Sequence, residues 1–178
     1  MIAIRTERLI LRTWNNNDVC DYYSINSDPK VIEFLLKTSS VDEIKEFIHS
    51  MNEQFHALGF TLFAVEEKTT GELIGFIGLN SPKWVAPFTP CVEIGWRLSS
   101  ACWGKGYATE GALAVLDYGF NHCDLKEILA WTVPENLRSI RVMEKIGMKH
   151  DIDGYFNHPM VPDGHALLKH VLYKIQKS

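Results

Sequence analysis

The chain has 178 residues, 46% apolar and 22% charged, with 18 Lys and Arg against 22 Asp and Glu for a formal charge of −4. This is ordinary globular usage, which excludes a disordered or fibrous chain, and area scaling predicts a folded surface of about 9,000 Å² with roughly 70% of the unfolded surface buried. No apolar run approaches the ~18–20 residues of a membrane span, and mild acidity argues against a broad nucleic-acid surface, so neither partner is expected.

In chain order, Ile2–Trp14 reads as a strand, broken at Asn15–Asn17. Asp18 is placed to cap a helix containing Val19, Tyr22, Tyr23 and Ile25. Asp28-Pro29 restarts the chain into a short segment ending near Leu36. Ser40-Val-Asp-Glu43 is a capping-box pattern, and Val41, Ile44, Ile48, Met51, Phe55 and Leu58 keep helical spacing up to Gly59. The period then changes. Thr61–Glu66 and Glu72–Leu79 are short β-branched and aromatic runs about Lys68-Thr-Thr-Gly71, a hairpin signal. A proline-spaced loop, Ser81–Pro90, leads to a third strand at Cys91–Leu98, which completes an antiparallel meander. Ser99–Gly106 is followed by a helix from about Tyr107 to His122, a strand Glu127–Val133, and a helix Leu137–Ile146 closed by Gly147. Strands near Met148–Phe156 and Lys169–Ile175 flank the loop Asn157–Ala166. No linker divides the chain, so one mixed α/β or α+β domain over residues 1–178 is expected.

Cys20, Cys91, Cys102 and Cys123 contain no C-x-x-C pair, and the charged start MIAIRTERLILRTW has no export-signal character. They read as free thiols in a reducing, cytoplasmic setting. No H-x-x-x-H pair occurs, and His158, His165 and His170 fall in one irregular stretch, so no metal is expected.

The most informative segment runs from Val92-Glu-Ile-Gly-Trp-Arg-Leu98 into Trp103-Gly-Lys-Gly-Tyr-Ala-Thr-Glu110, a strand passing through a glycine turn to a helix N-terminus. Free amides and the positive end of the helix dipole favour a phosphate there, and Gly104 and Gly106 allow close approach, with Lys105 as a charge at the rim. A tight strand-to-helix turn needing glycine accounts for the same spacing. A Walker A loop is absent, because Gly106 rather than Ser or Thr follows Lys105. A dinucleotide fingerprint fits poorly, because the third glycine is missing and a meander precedes the turn.

These residues, with Phe88-Thr-Pro90, Pro134-Glu-Asn-Leu-Arg-Ser-Ile-Arg-Val-Met-Glu-Lys-Ile-Gly147, Asp163-Gly-His165 and His170-Val-Leu-Tyr173, resemble the GNAT acetyltransferase superfamily. The resemblance is nearest to its ribosomal-protein-alanine N-acetyltransferase-like branch. The family's Q/R-x-x-G-x-G/A loop has Trp103 at its first position, with Gly106 and Ala108 matching. The resemblance implies a GNAT-like domain with a mixed central sheet, an antiparallel N-terminal meander, splayed central strands and flanking helices. It implies acetyl-CoA as co-substrate, its pantetheine arm along Trp96, Arg97 and Leu98. The pyrophosphate would lie on the amides of Gly104, Lys105, Gly106, Tyr107, Ala108 and Thr109.

Direct acetyl transfer to an amine needs a base and a proton for the leaving thiolate. Glu93 is the candidate base, although a solvated glutamate on a half-exposed strand would look the same. Asn136 and Ser139 match the family's N-x-x-S pattern. Asn136 is also a good N-cap, while by resemblance it contacts the cofactor and Ser139 protonates the sulfur, with Tyr173 as the other proton donor. Tyr23, Phe34, Trp84 and Trp131 are possible acceptor-pocket walls or core aromatics. The expected partner is an amine, a peptide N-terminus or a small molecule, bound by a monomer or homodimer. A non-catalytic acyl-CoA-binding module is the remaining alternative.

Overall fold

The run Ile2–Trp14 folds as a hairpin rather than one strand. In the computed structural model, which describes residues 1–177, β1 (Ile2–Arg5) and β2 (Leu9–Arg12) pair antiparallel about Thr6-Glu7-Arg8. The turn contains neither glycine nor proline. It is held by the Glu110 carboxylate, which accepts from the Thr6 hydroxyl at 2.6 Å and the Arg8 amide at 2.8 Å. That carboxylate comes from the far side of the sequence, so no local signal marks the bend.

Helix α1 (Asp18–Asn26) follows, but Asp18 is not its cap. Asn17 holds that position, and the buried Asp18 carboxylate instead accepts two 2.8 Å bonds from the Arg12 guanidinium and one from the Asn15 amide. A guanidinium tucked under the sheet needs a fork-shaped partner, and this need outweighs capping. Helix α2 (Val41–Leu58) has the expected capping box: the Glu43 amide donates to Ser40 Oγ and the Ser40 amide to the Glu43 carboxylate. Gly59 ends the helix at φ 76°.

The rest of the chain supplies β3 (Leu62–Glu67), β4 (Leu73–Asn80), β5 (Glu93–Leu98), α3 (Tyr107–Asn121), β6 (Glu127–Thr132), α4 (Leu137–Lys145), β7 (Lys149–Asn157) and β8 (Lys169–Gln176). These form one sheet of order β1-β2-β3-β4-β5-β6-β8-β7, antiparallel throughout except where β5 meets β6. The expected meander is present and extends back through β2 and β1. The described residues form a single α/β domain with an eight-stranded mixed sheet and four helices, and the accessible surface of 9484 Å² agrees with the size-based expectation.

Period-two alternation sorts each strand's side chains between two cores. On one face Leu9, Phe63, Ile77, Leu79, Ile94 and Ile128 pack with Ala112, Val115 and Leu116 of α3 and with Met143 of α4. On the other, Ala64 and Phe76 pack with Trp14, Tyr22 and Ile25 and with Ile44, Ile48 and Met51 of α2. The second core covers only the β2–β5 half of its face. Among the described residues no helix is long and apolar enough to cross a membrane.

Close packing between β3 and β4 yields a test of the scaffold. A Cβ on Gly78 would lie 2.0 Å from the Thr61 carbonyl oxygen and 2.6 Å from Leu62 Cα, both backbone atoms, whereas one on Gly95 would meet only side chains at 3.6 Å or more. Gly78→Ala should cost about 2 kcal/mol or more in denaturant unfolding, as overpacking does, and Gly95→Ala well under that. Equal losses at the two positions would contradict this packing.

Candidate functional site

β5 and β6 touch at one register pair, Glu93 with Leu129, where the Leu129 amide donates to the Val92 carbonyl at 2.9 Å. Past that point they diverge. The β5 edge from Ile94 to Leu98 faces a gap, and between the strands lies a cleft of about 520 Å³. Trp96, Arg97, Leu98, Gly104, Gly106, Tyr107, Ala108, Thr109 and Asn136 line it, as do Glu93, Ser139, Phe34 and Trp131.

At one end, the chain leaves β5 through a 3₁₀ turn (Ser100–Cys102) and the left-handed Gly104 (φ 77°) to Gly106 (φ 85°), which opens α3 with no side-chain cap. The first-turn amides of an uncapped helix lack intrahelical acceptors and carry the positive end of the dipole. The loop is fixed from below. Arg8 Nη1 donates to the Lys105 carbonyl at 2.9 Å, Arg8 Nε to Glu110 at 2.6 Å, and the guanidinium lies 4.5 Å over the Tyr107 ring, whose hydroxyl donates to Glu67. Lys105 thus contributes its carbonyl to this clamp and is not among the cleft's lining residues, contrary to its expected place at the rim. The cations around the cleft are Lys30, Arg138, Arg141 and Lys145 instead. The last three, at i, i+3 and i+7, share one face of α4, a spacing that could have marked them. Arg138 is also held by Glu33 at 2.5 Å and sits 4.5 Å over the Trp103 ring. Nothing local in the sequence marks Lys30.

Arg97 lines the cleft as part of the β5 edge, but its guanidinium bonds to Asn26 at 2.5 Å and Tyr22 at 3.3 Å on the α1 face. Its contribution to the cleft is therefore the strand's.

Glu93 lies at the apex where the strands separate. Burial pushes its carboxyl up to about 7, against the 2.8 Å hydrogen bond from Asn80 Nδ2, which works the other way. It is only partly exposed and is no solvated surface glutamate. A buried carboxylate tuned near neutrality inside a cleft has the character of a general base. Opposite it, Asn136 caps α4 by accepting the Ser139 amide at 3.3 Å while its Nδ2 donates to Thr132 Oγ1 at 3.0 Å. Both Asn136 and Ser139 face the cleft, so capping and lining coexist.

Three further predicted residues lie apart. Tyr173 is 6% exposed, belongs to the α3–α4 core, stacks on His150 with ring centroids 4.9 Å apart, and is not among the lining residues. β-alternation on β8 turns it away from the face that carries His170. Tyr23 is exposed on α1, outside the cleft, because Tyr22 takes the core position of that helix turn. Trp84 is not in the lining itself but packs 5.2 Å from Trp131, which is. His170 lines the cleft beside them and was not foreseen as a site residue. Among the described residues no group of His, Cys, Asp and Glu could hold a metal ion.

Comparisons with known proteins agree with this geometry. The family described as "Acetyltransferase (GNAT) domain" matches residues 8–149. The "Uncharacterized N-acetyltransferase YnaD" of Bacillus subtilis is 33% identical over 172 residues, which span 97% of this chain and 95% of that protein. Among solved structures, a GNAT-family acetyltransferase from Bacillus anthracis superposes with a TM-score of 0.78 at 32% identity, covering 99% and 98% of the two chains. The ribosomal L7/L12 α-N-protein acetyltransferase RimL, solved in complex with coenzyme A, has the same fold, with a TM-score of 0.79, 15% identity and coverage of 99% and 98%. An open β5–β6 cleft ending on an uncapped glycine-led helix, together with the matched residues 8–149, makes this chain a member of the GNAT family of N-acetyltransferases.

Proposed function

We propose that this enzyme transfers the acetyl group of acetyl-CoA directly to a primary amine, in the manner of the ribosomal-protein-alanine branch of its family, with a peptide N-terminal α-amine as the favoured acceptor. A small-molecule amine is the second reading. The observation that carries the proposal is the left-handed Gly106 opening the uncapped α3 at the end of the β5–β6 gap. The residues present fit acetyl-CoA. The amides of Gly104 to Thr109 suit a pyrophosphate, Arg138, Arg141, Lys145 and Lys30 add positive charge, and the open β5 edge at Trp96–Leu98 suits an extended pantetheine amide chain. Bound acetyl-CoA supplies the activated thioester. Four free cysteines suit a reducing compartment such as the cytoplasm.

Glu93, which lines the cleft, takes the proton from the attacking amine, and Asn80 Nδ2 donates to one of its carboxylate oxygens. Ser139, in the first turn of α4, is the donor to the departing sulfur. Tyr173, packed in the core, is the weaker candidate for that proton. An α-amine with a pKa near 8 is about one-tenth neutral at pH 7, against roughly 0.04% for a lysine amine. A base with a pKa near 7 is matched to the first and not to the second. A non-catalytic binding module would gain nothing from burying an ionisable carboxyl at the apex, and burial of that group costs stability.

Gly106→Val should leave the circular dichroism native while weakening acetyl-CoA binding in calorimetry more than 100-fold. The strain of a left-handed β-branched residue, about 1–2 kcal/mol, is too small to unfold the domain. Native affinity in the folded variant would overturn the pyrophosphate assignment.

Glu93→Gln should lower kcat/KM by about 10²-fold or more. The loss should be greatest above pH 7, where the carboxylate is ionised, and should shrink as pH falls and the wild-type base is itself protonated. Stability should move oppositely. A carboxyl raised from its ordinary 4.5 to about 7 leaves the native state fully stabilised below pH 4.5 and less stable as pH rises through 7. The variant should therefore exceed wild type at pH 8 by about 1–3 kcal/mol and match it near pH 4. An unchanged pH–rate profile would remove Glu93 as the base.

A further inference from the structure

The half of the sheet face that α1 and α2 leave uncovered carries a different roof. By alternation, Glu93 of β5, Trp131 of β6, His170 of β8 and Phe156 of β7 all point to this face, because Ile94, Ala130, Val171 and Tyr173 belong to the core under α3 and α4. Over them the β4–β5 loop lays Trp84 and Phe88. Trp84 lies 5.2 Å from Trp131 and 4.9 Å from His158, Phe88 lies 4.8 Å from Phe156 and 5.8 Å from Trp131, and His158 lies 5.0 Å from His170. All six rings are partly exposed, and Trp131 and His170 reach into the cleft with Glu93. A purely structural aromatic core would be closed to water, as the Trp14–Tyr22–Phe76 group is.

We infer that this aromatic wall is the acceptor subsite and selects a primary amine carried a few bonds from an aromatic ring, a chemistry offered equally by a free arylalkylamine and by a peptide beginning with an aromatic residue. The inference rests on the acetyl-transfer reading and specifies its substrate. The partly exposed rings offer the flat apolar surface on which another ring stacks edge-on or offset. Burial lowers both histidines, His158 to about 4, so at neutral pH they add neutral imidazole faces rather than charge. The electrostatics disfavour an acceptor with several ammonium groups. Lys30, Arg97, Arg138, Arg141 and Lys145 line the same cleft, and among the described residues Glu93 is the single Asp or Glu in its lining. Once Glu93 is engaged with the reacting amine, nothing in that lining compensates a second cation.

The test measures CoA release with 2-phenylethylamine, n-butylamine, spermidine and short peptides beginning with Phe or Ala, and separately measures acceptor binding in the presence of CoA by tryptophan fluorescence. The aromatic acceptors should exceed their aliphatic counterparts at least tenfold in kcat/KM, and the peptide and free-amine arms show which source is used. Phe156→Leu, which keeps apolar volume but removes a ring, and Trp84→Ala should raise KM about tenfold more for the aromatic acceptors than for n-butylamine. Acetyl-CoA affinity serves as the check that each variant is folded. Preference for spermidine or for the Ala peptide, or equal losses for aromatic and alkyl amines, would overturn the wall. If no amine releases CoA, the acetyl-transfer reading fails, whereas the binding arm still judges the subsite. Ring-dependent binding of 2-phenylethylamine would sustain it, and absence of binding would overturn it.

Discussion

The structure depends on a parallel strand contact that is made once and then abandoned. β5 and β6 meet at Glu93 and Leu129, and among the described residues the remaining β5 edge has no strand partner. An unpaired strand edge inside a fold is ordinarily a liability, since its amides and carbonyls need partners. Here the chain keeps the sheet intact on either side: β5 is paired with β4 along its whole length and β6 with β8 along its whole length. The gap is therefore a rigid slot with two well-anchored walls. A slot of this kind presents backbone groups to a ligand without having to unfold anything to admit it.

What keeps the slot useful is the position of α3. Its N-terminus must face the gap, and the Thr6–Arg8 turn secures it there through Glu110 and the Lys105 carbonyl. The arrangement is reciprocal. The hairpin turn lacks glycine or proline and relies on Glu110, while the loop before α3 has two left-handed glycines and relies on Arg8. Each irregular segment supplies the contact that the other's local sequence lacks. The N-terminal strand pair is thus part of the site's scaffold, although none of its residues lines the cleft.

Much of this was legible in order along the sequence, and the failures share a cause. The capping box at Ser40, the helical period of α2, the meander and the glycine-led helix are signals written within a few residues, and all fold as read. Asp18 was misread because its partner, Arg12, lies across a tertiary contact that outweighs capping. The hairpin within Ile2–Trp14 was missed for the same reason, its turn being set by a residue a hundred positions away. Among site residues, period-two alternation sets Glu93 of β5 apart from Ile94, Trp96 and Leu98, which pack toward the α3–α4 core. The same rule applied to β8 would have turned Tyr173 away from the cleft and His170 toward it. The wall of Trp84, Phe88, Trp131, Phe156, His158 and His170 was not legible as a unit, because it is assembled from two loops and three strands that only the sheet order brings together.

Glu93 shows how stability and chemistry compete in this fold. A carboxylate at the apex of the slot is removed from water and has one neutral hydrogen-bond donor, Asn80, where a cation would have lowered its pKa instead. The nearest guanidinium on its own strand, Arg97, is engaged by Asn26 and Tyr22 and is turned along the α1 face. Pairing Glu93 with that cation would have stabilised the native state and made the carboxylate too weak a base for an amine. With Asn80 rather than a cation as its partner, Glu93 keeps a carboxyl raised to about 7, a local loss in folding free energy that the two cores on either side of the sheet are large enough to absorb.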